Sequence, residues 1–89
     1  MPLKFKLGQL LITPGAQEVL TEDEIHNTLM RHSQGDWGNV CDEDKKENDI
    51  SCEKGFRILS SYESSKGVKF WIITEADRSA TTILLPEEY

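Results

Sequence analysis

The sequence has 89 residues, of which sixteen are acidic and ten basic, a formal charge of −6. That length supports one domain with a single modest core, burying roughly 60–65% of the surface that the unfolded chain exposes, and no apolar run approaches the ~18 residues a membrane span needs. The negative balance works against direct contact with nucleic acid, whose phosphates are neutralised by Lys and Arg, and favours protein partners with basic surfaces; no membrane partner is expected.

At the start of the chain, Lys4 and Lys6 interrupt the apolar residues of MPLKFKLGQLLITPG and no small-residue cleavage site follows, so a signal peptide is not expected. Cys41 and Cys52 are too few for a disulfide scaffold and read as two thiols in a reducing cytoplasm. Leu7 to Ile12 has the apolar content of a strand. Thr13 then caps a short helix whose first residue is Pro14, a position where the missing N–H of proline costs nothing.

A second helix is predicted from Glu22 to His32. Thr21 and Glu24 have capping-box spacing, Leu20 and Ile25 are placed as a hydrophobic staple, and three acidic residues sit at the positive end of the dipole. His32 closes this helix, where a partly cationic imidazole would favour the negative end, and His26 faces solvent. SQGDWGN breaks the helix, and DEDKKEN predicts two turns of a third helix from Asp42 to Asn48, with Asp42 and Lys46 at i,i+4 spacing.

From Phe56 the apolar period changes to two. FRILSSYE, VKFWIIT and ATTILL read as three strands of an antiparallel meander, separated by SSKG and EADRS. The middle strand is apolar on both faces, so it is expected to be central, with Trp71 in the core. EADR has the length and residue types of a hairpin loop, and on that reading replacing Asp77 and Arg78 together costs little stability. As a recognition loop it would present Asp77 and Arg78 as opposite charges at a rigid strand end.

Chemistry-bearing constellations are sparse. His26, His32, Cys41 and Cys52 share one window, but the eleven-residue spacing of the cysteines does not match the close ligand pairs of structural zinc, and neither a metal nor a cofactor is expected. A Cys41 thiolate is disfavoured by the three acidic residues that follow it, and no phosphate-binding glycine loop or nucleophile elbow is present. Two binding candidates stand out. Trp37, beside Asp36 in GDWGN, must either pack back on the sheet or face a partner, where tryptophan is a preferred anchor. The run containing Asp42, Glu43, Asp44 and Glu47 is either a solvated helical face or an anionic surface for proteins whose grooves normally bind nucleic acid.

At TPGA, RHSQGDWGNVCDEDKKEN and GFRILSSYESSKGVKFWIITEADRSATTILLPEEY the chain resembles a family of small bacterial proteins common on plasmids and other mobile elements, some of which carry the label of a type I restriction subunit. The resemblance implies an accessory role on mobile DNA. It assigns no catalytic residues, and the sequence is too short for a methyltransferase domain. Joined to the acidic composition, it points to an inhibitor of host defence, anti-restriction or anti-CRISPR.

The sequence therefore predicts a single α+β domain, with two or three short N-terminal helices packed on a three- or four-stranded antiparallel sheet. Its expected function is non-enzymatic protein binding, with a nucleic-acid-binding defence complex as partner. The alternative is a small enzyme or nucleic-acid-processing protein using His32, Asp36 or Cys41.

Overall fold

The computed structural model describes residues 3–89. A short edge strand β1 (Gln9–Ile12) is followed by three helices, α1 (Pro14–Val19), α2 (Glu22–Ser33) and α3 (Asp42–Lys54). Three strands, β2 (Ile58–Glu63), β3 (Lys69–Thr74) and β4 (Ala80–Leu84), and a 3-10 turn (Pro86–Glu88) complete the chain. The local signals for the first two helices act as the sequence predicts. The Thr13 hydroxyl accepts from the Ala16 amide at the start of α1, and Thr21 and Glu24 form a reciprocal capping box on α2. Leu20 and Ile25 join one apolar cluster.

The architecture is α+β, but the sheet is mixed. Strand order is β1-β4-β3-β2: the β2–β3 and β3–β4 pairs are the antiparallel meander, whereas β1 runs parallel to β4, with Leu11 opposite Thr82. This corrects the expectation of an antiparallel sheet. Hairpin geometry makes neighbouring strands antiparallel, but β1 is joined to β4 through the rest of the fold, so its direction is set by the crossover. The helices are also not simply N-terminal, since β1 precedes them and the 3-10 turn comes last.

One sheet face carries Tyr62, Phe70, Ile72 and Ile83, which bury against Ala16 and Leu20, with Ile25 and Leu29 of α2 at the margin. Phe5, Trp37 and Ile58 form a second cluster, with Leu7, Val40 and Cys52 at its edge. On the opposite face Ile73 and Leu84 are buried, but Trp71 is only half-buried, which corrects its expected place in the core. Its ring meets Tyr89 edge-on at 5.8 Å, and the Arg57 guanidinium lies 5.0 Å from the centre of the Tyr89 ring.

The outer edge of β2 is sealed twice. Asn48 on α3 imitates a strand backbone, its Nδ2 donating to the Leu59 carbonyl at 2.8 Å and its Oδ1 accepting the Leu59 amide at 3.3 Å. Two residues on, the Asn39 amide donates to the Ser61 carbonyl and the Ser61 amide to the Trp37 carbonyl. Gly38 sits between them at φ 73°, where a Cβ would collide with the Ser61 carbonyl oxygen.

Candidate functional site

Helix α3 begins where the sequence predicts, at Asp42, but continues to Lys54 instead of ending at Asn48. Gly55 in the left-handed region stops it, its amide bonded to the Ser51 carbonyl. The buried positions within α3 are Asn48 and Ser51. A helix that docks through polar groups leaves almost no apolar stripe in its sequence, which is why its second half was not apparent. Its six carboxylates and three lysines are all exposed. Among the described residues the sole ion pair within 4.0 Å is Arg31–Asp36, outside α3. Asp42, Glu43, Asp44 and Glu47 therefore project into solvent with no cation paired to them. Beside them lies a groove of about 270 Å³, lined by Asp44, Glu47, Arg57, Leu59 and Tyr89 among others. No local pattern marks Arg57 or Tyr89 as groove residues, because they meet only when the C-terminal tail packs beside the start of β2.

Asp36 and Trp37 have internal duties. Arg31 Nε donates to Asp36 Oδ2 at 2.8 Å, and this bond holds the Asp36 carboxyl below the usual range. The Tyr62 hydroxyl donates to the Asp36 carbonyl at 2.5 Å, and burial pushes its pKa up to about 12. Trp37 is 3% exposed and donates from Nε1 to Asp49 on α3 at 3.1 Å. Of the two placements open to Trp37, packing is the one adopted.

His32 departs furthest from its expected setting. It is fully buried instead of capping α2 as a cation. Ser60 Oγ lies 2.5 Å from Nδ1 and Thr74 Oγ1 lies 2.8 Å from Nε2. Thr74 Oγ1 is 2.8 Å from Thr81 Oγ1, which donates to the Leu7 carbonyl at 2.7 Å. Donor counting fixes the direction of this chain. A carbonyl can only accept, so the single Thr81 proton goes to Leu7 and Thr81 must accept from Thr74. Thr74 has then used its proton and must accept from His32 Nε2–H, which leaves Nδ1 to accept from Ser60. His32 is thus the neutral Nε2–H tautomer, and its pKa is lowered to about 3, first by burial and then by the charge of Arg78.

This Ser-His-Thr series has the residue types of a catalytic relay, but Ser60, His32 and Thr74 are all fully buried. Both His32 nitrogens are occupied, leaving none for Cys41, which is exposed. Among the described residues no three His, Cys, Asp or Glu side chains gather into a cluster able to hold a metal ion. Cys41 and Cys52 are free thiols.

EADR is a turn, as predicted, with Asp77 accepting the Ser79 amide at 3.0 Å. Arg78 does much more than the turn reading expects. It adopts φ 61° and donates to the carbonyls of Ser51, Phe56, Glu75 and Ala76, with its guanidinium 5.5 Å from the centre of the Phe5 ring. One side chain thereby joins the end of α3 to the β3–β4 turn, so the expectation that its loss costs little does not survive this geometry. Comparison with known proteins adds no relative: no family model, no curated protein and no solved structure matches the chain.

Proposed function

We propose that this protein is a non-enzymatic binding module whose helix α3 presents an anionic surface to a basic, nucleic-acid-binding protein, as an inhibitor of host defence would. The observation that carries the reading is the solvent-facing, unpaired state of Asp42, Glu43, Asp44 and Glu47. A 13-residue helix is about 20 Å long, and six carboxylates against three lysines give this one a net charge of −3. Unpaired like charges on one rigid element raise the local potential, steer a cationic partner and lose their effect as salt screens them. The docking of α3 through the buried, uncharged Asn48 and Ser51 supports the same reading, because Asp49 alone of the six carboxylates is engaged internally, by Trp37, and Asp42, Glu43, Asp44 and Glu47 are left for an external contact.

The test is affinity capture from a bacterial lysate with Glu43→Lys, Asp44→Lys and Glu47→Lys combined. The wild type should retain a nucleic-acid-binding complex at low salt and release it at moderate salt. The triple variant should unfold at the wild-type temperature and retain none of that complex. Equal capture by the folded variant would refute the proposal.

A further inference from the structure

We propose that β1 is a dimerisation strand: two copies of the chain pair antiparallel along Gln9–Ile12 about a two-fold axis at Leu11, making one continuous sheet of eight strands from two of four. β1 is the outermost strand, hydrogen-bonded only to β4. The Gln9 and Thr13 amides donate inward, to the Ser79 carbonyl at 2.9 Å and the Ile83 carbonyl at 3.0 Å. Alternation along the strand then turns the N–H and C=O groups of Leu10 and Ile12 outward. No backbone partner meets them among the described residues.

The two edges of the sheet are treated in opposite ways. At β2, Asn48 and the Trp37–Asn39 segment occupy the outward backbone groups of Leu59 and Ser61. At β1 the usual guards against pairing are absent from the strand: it has no lysine, no proline and no bulge. Leu10 and Leu11 are instead 54% and 42% exposed. No charged residue occurs between Lys6 and Glu18, so two copies can approach here without like charges meeting, although each carries −6 overall. The acidic helix lies at the far edge, three strand spacings or about 14 Å away.

The strand is also its own complement. Centred on Leu11, antiparallel pairing sets Leu10 opposite Ile12 of the second copy and Ile12 opposite its Leu10, and each of these pairs exchanges two hydrogen bonds. Leu11 faces Leu11 of the second copy at a close, non-hydrogen-bonded position, with Cα atoms about 4.5 Å apart. Every apolar side chain of the strand gains an apolar counterpart. Because β2 is covered at Leu59 and Ser61 and β1 is the uncovered edge among the described residues, the contact is isologous and closes at two copies instead of growing into a fibre. That closure favours a second copy over a foreign strand as the occupant.

The test is sedimentation of the purified chain across a concentration series, compared with Leu11→Lys, which sets two like charges face to face at the axis. The wild type should reach twice the 10.1 kDa chain mass with rising concentration, and Leu11→Lys should stay at the single-chain mass with an unchanged circular dichroism spectrum. A wild type that remains monomeric up to several hundred micromolar overturns the proposal, and so does a Leu11→Lys variant that still dimerises. The register has its own check in Leu11→Cys, combined with Cys41→Ser and Cys52→Ser. Mild oxidation should convert this variant to a covalent dimer, and dimerisation without crosslinking would overturn the two-fold at Leu11.

Discussion

His32 and Arg78 show how much one side chain can hold in a domain of this size. His32 is neutral with a folded pKa near 3, below the ordinary value of about 6.5. Between those values the unfolded chain binds the proton and the folded chain does not, so the stabilisation is complete above the unfolded pKa and is lost as pH falls toward 3. Chemical denaturation should show stability decreasing by about 1.4 kcal/mol per pH unit from this group as pH drops from 6 to 5, above the range where the depressed carboxyls of Asp36, Glu24, Asp77 and Glu88 contribute. His32→Gln should flatten that dependence. A slope that survives the substitution would assign it to another group. For Arg78, loss of four carbonyl contacts should make Arg78→Ala about 2 kcal/mol less stable. Arg78→Gly should recover some of this loss, because glycine adopts φ 61° without strain. Equal midpoints for Ala and Gly in urea would show that the backbone contributes nothing. Neither role was visible in the sequence, since each depends on partners at least 22 residues away: Ser60 and Thr74 for one, Ser51 and Phe56 for the other.

Among the elements, legibility follows the range of the forces that define them. Thr13, Thr21 and Glu24 act within one helical turn, so the starts of α1 and α2 could be read directly, and the period-two runs of β2, β3 and β4 carry their own alternation. The parallel pairing of β1 could not be read, because it joins Leu11 to Thr82 and no local pattern encodes direction across that distance. For the candidate site, the acidic start of α3 was legible but its end was not, since Asn48 and Ser51 are buried polar residues that look like surface ones. Their importance is testable. Asn48→Leu removes both bonds to Leu59 and leaves the two backbone groups unpaired, which should destabilise the fold by about 2 kcal/mol and reopen the β2 edge. Thermal unfolding and light scattering together would register the two effects. A variant as stable and as monodisperse as the wild type would show that Asn48 does not guard the edge.

On the scale of the whole molecule, charge and adhesion are segregated. The anionic helix seals one edge of the sheet, and the uncharged strand β1 forms the other, so a dimer through β1 would hold two copies of α3 at its extremities. Such a particle could engage two basic sites at once, with the second engagement governed by effective concentration instead of free diffusion. The 3-10 turn is also tied to α1: Glu88 accepts from the Thr13 hydroxyl at 2.5 Å and the Gly15 amide at 3.1 Å, closing that turn over the start of the helix. The one-way chain from Ser60 through His32, Thr74 and Thr81 to Leu7 spans the segment before β1, helix α2 and strands β2, β3 and β4. Opening any one of these segments alone would strand a buried donor or acceptor in another, so partial openings are penalised at both ends. In hydrogen-exchange terms the amides of α2, β2, β3 and β4 should belong to one cooperative unit that exchanges only when the whole domain opens, while the C-terminal turn exchanges by local fraying.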